Sequence, residues 1–161
     1  MSRINVKIPA IEERSYPISI GTGTLCAVWA ELEEKFAASG KFVVTDSNVV
    51  KAGHLETLLA GNDAPVFVID PAGEISKTID TVVSIVETME KAKLGRDSVV
   101  IALGGGSVID TTKAVSASMA VGTPGWLEAH FRKGKKFPRS FSPVPIIAVP
   151  TTAGTGSEVT M

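Results

Sequence analysis

Gly104-Gly105-Gly106-Ser107 stands directly between the apolar run Val99-Val100-Ile101-Ala102-Leu103 and a helical pattern, an arrangement that builds a seat for an anion. Glycines lack Cβ, so backbone N–H groups approach a phosphate closely, and the following helix N-terminus adds partial positive charge. A dinucleotide or another phosphorylated ligand is the chemistry this segment predicts. The run is neither G-x-G-x-x-G nor G-x-x-x-x-G-K-[ST], so neither motif's meaning transfers to it. Ser107 and Asp110 also have the S-x-x-D spacing of a capping pair, which needs no ligand. Asp110 lies one turn into the helix, where it would reach a bound ligand or simply favour the helix dipole.

Two further segments carry chemistry. Asp46 follows Phe42-Val43-Val44-Thr45, a strand-end position from which a carboxylate accepts hydrogen bonds from a ribose diol. Its other reading is an N-terminal cap for the next helix, a role open to Ser47 as well. A ribose role favours NAD over NADP, whose 2′-phosphate the carboxylate would repel. The segment Pro150-Thr151-Thr152-Ala153-Gly154-Thr155-Gly156-Ser157-Glu158-Val159-Thr160-Met161 is dense in hydroxyls and glycines immediately after a strand. It reads either as the lining of a polar ligand site or as a capped turn with Ser157 as cap.

The elements that must position these residues alternate. Arg3–Ile8 and Tyr16–Ile20 read as two short strands pairing as an antiparallel hairpin. Leu25, Val28, Trp29, Leu32 and Phe36 recur at helical spacing, with Thr24 as N-cap and Gly40 just past the end. Lys41–Thr45 is a strand, and Val50, Leu55, Leu58 and Leu59 mark one helix closed by Gly61. Val66–Ile69 is a strand, followed by a long amphipathic helix carrying Ile75, Ile79, Val82, Val83, Val86 and Met89. Ser98–Leu103 is a strand, Ser107–Val121 a helix and Val144–Val149 a strand. Evenly apolar strands separated by helices require a parallel sheet covered on both faces, so the class is α/β, doubly wound. Ligands in such sheets bind outside the carboxyl ends of the strands, where the loops begin at Asp46, Pro71, Gly104 and Thr151.

Between Val121 and Pro143 the pattern breaks into an irregular stretch with the basic cluster Arg132-Lys133-Gly134-Lys135-Lys136, read as a solvated loop anchored by Trp126, Leu127 and Phe131. Cys26, the single cysteine, reads as a small buried apolar residue and suits a reducing, cytoplasmic setting. Sixteen basic and seventeen acidic residues in a chain of 161 give a net charge of −1, which leaves no electrostatic footprint for nucleic acid or an anionic membrane. No run approaches the roughly 18 apolar residues of a membrane span. The expected partner is a small molecule, and an edge strand near the N-terminus leaves room for a homodimer.

Gly104-Gly105-Gly106-Ser107-x-x-Asp110-x-x-Lys113-Ala114, followed by Ile147-Ala148-Val149-Pro150-Thr151-Thr152-Ala153-Gly154-Thr155-Gly156-Ser157-Glu158-Val159-Thr160, resembles the N-terminal half of the iron-containing (group III) alcohol dehydrogenases. Three pieces lean toward the related dehydroquinate synthases: Tyr16–Gly21, Gly73–Thr78 and Arg96–Gly104. The resemblance spans essentially all of residues 1–161 and implies one Rossmann-like dinucleotide-binding domain. It implies that Asp46 holds the adenosine ribose, that Gly104, Gly105, Gly106 and Ser107 form the pyrophosphate seat, and that Asp110 lies toward the nicotinamide. It places Thr151 and Thr152 on the adenine or phosphate side and Ser157 by the inner phosphate or the nicotinamide ribose. Glu74 and Lys77 match a synthase-type G-E-x-x-K segment that contacts the dinucleotide, or else are first-turn charges of an exposed helix.

The implied cofactor is NAD, with NADP possible, and the implied substrate is an alcohol or aldehyde. In this family a divalent metal, iron or zinc, is held by an Asp and several His of a helical C-terminal domain. None of that domain is expected in these residues, so the chain alone is expected to bind cofactor without turning substrate over. His54 and His130 have no second histidine at i+4 and are not expected to hold metal. Two other functions remain open from sequence: a dehydroquinate synthase-like sugar-phosphate cyclase, and a nucleotide-binding module without catalysis.

Overall fold

The computed structural model describes residues 16–122, 125–138 and 140–160, Phe131 by its backbone alone. Four strands, β1 Lys41–Asp46, β2 Val66–Ile69, β3 Val99–Gly104 and β4 Ile146–Pro150, form one parallel sheet in the order β2-β1-β3-β4. Residues alternate across it. Phe42, Val44 and Val100 pack on one face under helices α4 Ile79–Lys91, α5 Gly106–Val121 and α6 Trp126–Lys133. Val43, Ile101 and Leu103 pack on the other under α1 Thr24–Phe36, α2 Ser47–Lys51 and α3 His54–Leu59. The period of two in strand side chains therefore builds two cores from one sheet.

β3 is buried along its whole length, being covered on both faces and paired on both edges. The doubly wound α/β class read from the sequence is what the sheet shows. Helix α4 illustrates the local logic: Thr78 Oγ1 accepts the Thr81 amide at 3.1 Å as its cap, Asp80 and Lys91 complement the dipole, and Val82, Ile85 and Met89 face the core.

Several expectations are corrected. The hairpin partner Arg3–Ile8 lies outside the described residues, whereas Tyr16–Ile20 is irregular, with Ile20 91% exposed, so the described part provides no N-terminal edge strand. Pro17 has no N–H to give a ladder. Gly23, in the left-handed region, precedes α1 in place of a Thr24 cap, and the Thr24 hydroxyl turns back to the Gly21 carbonyl. The helix expected to run to Gly61 is two helices, because Gly53 adopts φ 77° between them and Ala60 ends the second at φ 49°. Ile75 stands in a separate 3-10 turn, Glu74–Ser76, and is exposed.

Trp126–Lys133 is helical rather than irregular; its flanking Gly125 and Gly134, both with positive φ, bound a helix where composition suggests a loop. Trp126 and Leu127 do anchor it to the core, while the Phe131 side chain lies outside the described part. Cys26 is exposed, since Leu25, Val28, Trp29 and Leu32 take the inward positions of α1.

Two substitutions on α4 separate burial from mere hydrophobicity. Ile85→Ala, in the core, is expected to cost about 2–5 kcal/mol of unfolding free energy. Val83→Ala, at a position 48% exposed, is expected to stay within about 0.5 kcal/mol of the parent. Urea unfolding of the two variants checks this, and equal losses would contradict the placement of α4.

Candidate functional site

The chain leaves β1 toward β2 and leaves β3 toward β4, so its direction across the sheet reverses between two neighbouring strands. A crevice must open at their carboxyl ends, because the connections depart to opposite sides. A cleft of about 610 Å³ lies there, walled by the segments that follow all four strands. Eight of the nine residues singled out from sequence line it: Asp46, Gly105, Gly106, Ser107, Asp110, Thr151, Thr152 and Ser157. Gly104 sits behind them as the last residue of β3, where its carbonyl accepts the Thr151 amide at 3.0 Å. That bond continues the β3–β4 register, which pairs Gly104 with Pro150, into the hydroxyl-rich loop.

Asn48, Val49, Ala72, Gly73 and Thr155 also line the cleft and were not singled out by sequence reasoning. The strand-end rule flagged the Pro71 loop and so points to Ala72 and Gly73, while Asn48 and Val49 are the turn that Asp46 caps.

Asp46 serves the fold and the cleft together. Its backbone is still extended, and Oδ1 accepts the amides of Asn48 at 2.9 Å and Val49 at 3.0 Å, capping α2. Both bonds end on one oxygen. Oδ2 accepts no hydrogen bond from the described residues, and Asp46 lines the cleft.

The glycine triplet is favoured by packing as well as by access, most strongly at Gly104 and Gly106. A Cβ on Gly104 would lie 2.5 Å from Val108 Cγ2, one on Gly105 3.2 Å from Thr152, and one on Gly106 2.9 Å from Ser157 Oγ. The two motifs are therefore in contact, the loop after β4 folding over the start of α5. No side chain caps α5, so the Ser107–Asp110 capping pair does not form, and Gly105 occupies the cap position. The first-turn amides thus remain available to an anion in the cleft. Ser157 likewise caps no helix but opens the 3-10 turn Ser157–Val159.

Charges run along the rim as a chain. Lys77 pairs with Glu74 and, at 3.6 Å, with Asp110; Asp110 lies 3.6 Å from Lys113 as well. The hydrogen bond that Lys77 donates to the Glu74 carboxylate is the largest influence on it and, with help from the nearby Asp110 carboxylate, holds its ammonium above the ordinary lysine range. Lys77 therefore brings a charged ammonium to Glu74 and Asp110 throughout the neutral range. Lys77 itself does not line the cleft, whereas Glu74 does.

The histidines lie elsewhere. His54 opens α3, and the His130 ring stacks on Trp126 with centroids 5.0 Å apart while its Nδ1 lies 2.5 Å from the Lys135 carbonyl. Among the described residues no group of three or more His, Cys, Asp or Glu side chains is placed to hold a metal ion. Nor is any helix among them long and apolar enough to cross a membrane.

Comparison with known proteins places this geometry. A 3-dehydroquinate synthase of Sinorhizobium medicae is 38% identical over 107 residues, covering 63% of this chain and 28% of the synthase. The crystal structure of sulfoacetaldehyde reductase from Bifidobacterium kashiwanohense in complex with NAD+ superposes with TM-score 0.69 at 29% identity, over 94% of this chain and 39% of that one. An iron-containing alcohol dehydrogenase from Thermotoga maritima gives TM-score 0.56 at 29% identity, over 80% of this chain and 36% of that one. This chain thus spans well under half the length of each. Across families, residues 17–161 match the iron-containing alcohol dehydrogenases, and the chain belongs to that family.

Proposed function

We propose that this chain is the dinucleotide-binding domain of an NAD(P)-dependent alcohol or polyol dehydrogenase that uses a divalent metal, iron or zinc. One observation carries the reading: an uncapped helix N-terminus and a strand-end carboxylate with a spare oxygen line the same cleft at the switch point of the sheet. In this reading Asp46 Oδ2 accepts from the adenosine ribose. The amides at Gly105, Gly106 and Ser107 receive the pyrophosphate, with Thr151 and Thr152 beside it. Ser157 stands by the inner phosphate or the nicotinamide ribose, and Asp110 lies toward the nicotinamide, whose ring supplies the hydride acceptor and donor when the cofactor is bound. The metal, the alcohol or aldehyde substrate and the groups that hold them are assigned to the remainder of such an enzyme, and no step is drawn through them.

The identity to dehydroquinate synthases favours a second reading, an NAD-dependent sugar-phosphate cyclase. A full-length protein discriminates the two. The dehydrogenase accumulates NADH stoichiometrically with an alcohol, whereas the cyclase releases phosphate with no net change in cofactor.

Calorimetric titration of the 161-residue chain tests the shared core of both readings. Saturable binding of NAD+ with weaker binding of NADP+ is expected, and failure to bind either overturns the assignment. Asp46→Ala is expected to weaken NAD+ on the order of tenfold and, by uncapping α2, to cost about 1 kcal/mol of stability. Asp46→Asn keeps a capping side chain but removes the charge, so the gap between NAD+ and NADP+ should narrow. Gly106→Ala puts a methyl group 2.9 Å from Ser157 Oγ and is expected to reduce NAD+ affinity at least as much as Asp46→Ala, read by the same titration.

A further inference from the structure

Lys113 is the fourth charge of the rim, at the second turn of α5, and its side chain is only 22% exposed. Its ammonium faces three acceptors: the Ser157 carbonyl, Thr160 Oγ1 at 2.7 Å, and the Asp110 carboxylate at 3.6 Å. Two of the ammonium's three donors are thus used in hydrogen bonds to the Ser157–Thr160 segment, and Asp110 adds an ion pair. Thr160 Oγ1 in turn lies 3.3 Å from the Ser157 carbonyl, closing the cluster.

Beyond its packing on Gly105 and Gly106, the segment it holds has few hydrogen bonds to fix it. Among the described residues, the hydrogen bonds that join 152–160 to the rest of the fold are both donated by Lys113; the others run within the segment, from Ser157 to Thr155 and from Val159 to Gly156. Gly154 and Gly156 have positive φ, so the backbone turns sharply twice before Ser157. Yet Ser157 is buried, with Oγ directly over Gly106 at the mouth of α5.

We propose that Lys113 is a positioning residue, a latch that holds the Ser157–Thr160 segment on α5 and so keeps the Ser157 hydroxyl over the anion seat. It does not line the cleft and does not touch the ligand itself. The charge reaches the site through the backbone carbonyl it grips. With Lys113 in place, the Ser157 side chain and the first-turn amides of α5 address the same phosphate; without it, the glycine-rich segment swings free and that wall is lost. The effect on ligand rests on the dinucleotide reading, whereas the latch itself does not.

The experiment compares the parent chain with Lys113→Met, which keeps length and apolar bulk but removes the charge. Hydrogen–deuterium exchange of the free chains is expected to rise in 153–160 and to stay unchanged in β3 and β4. NAD+ affinity should fall on the order of tenfold while AMP affinity, which does not require the inner phosphate, holds. Lys113→Arg should recover part of the loss. Unchanged exchange in 153–160 overturns the latch, and an equal fall for NAD+ and AMP overturns the positioning role. Thr160→Val removes one acceptor without touching α5 and covers the case of a Lys113→Met chain that does not fold: faster exchange confined to 153–160 supports the latch, and no change there overturns it. If the parent binds neither nucleotide while Lys113→Met frees 153–160, the latch stands and the dinucleotide reading falls.

Discussion

At the carboxyl end of β3, strand, helix and neighbouring loop approach so closely that an added Cβ would crowd a neighbour at three consecutive positions, most severely at Gly104 and Gly106. Val108 occupies the space beside Gly104, Thr152 lies against Gly105, and Ser157 with Thr155 lies against Gly106. This close approach makes one site of two motifs more than forty residues apart in sequence. It is possible because β3 is fixed on every side, by β1 and β4 at its edges and by a helical layer on each face. A strand so constrained delivers the start of α5 to a defined place, and the β4 register carries the hydroxyl loop to meet it.

The electrostatics follow from the same arrangement. Among the described residues lining the cleft there is no lysine or arginine, while Asp46, Glu74 and Asp110 contribute carboxylates. Lys77 and Lys113 stand just behind and are engaged by Glu74, Asp110 and the Ser157 carbonyl. The positive element presented to a ligand is therefore the uncapped first turn of α5, a set of backbone amides whose direction is built into the fold. Such a seat orients an anion by hydrogen-bond geometry, whereas the carboxylates around it disfavour further negative charge.

A cleft of this kind does not choose a reaction. A reductase, an alcohol dehydrogenase and a synthase all share sequence or fold with this chain, as expected where the sheet supplies binding and the chemistry lies with other groups. The family assignment is firm across residues 17–161, and the choice among its reactions belongs to residues that meet the substrate.

The sequence by itself determined the layered fold and most of the cleft. Evenly apolar runs at Phe42–Val44, Val66–Ile69, Val99–Leu103 and Ile146–Val149 demanded a sheet buried on both faces, and the rule for strand ends then selected Asp46, the glycine triplet and the Thr151–Ser157 loop. Local punctuation was less legible, since a glycine with positive φ reads alike whether it breaks a helix, as Gly53 does, or bounds one, as Gly125 and Gly134 do. What only the tertiary structure decided is which partners meet. Strand order, set by packing between distant segments, brought Ser157 onto Gly106, set Asp46 at the cleft, and seated Lys113 under a carbonyl 44 residues away. No spacing rule carries such contacts, because they depend on how whole elements stack rather than on the period of any one of them.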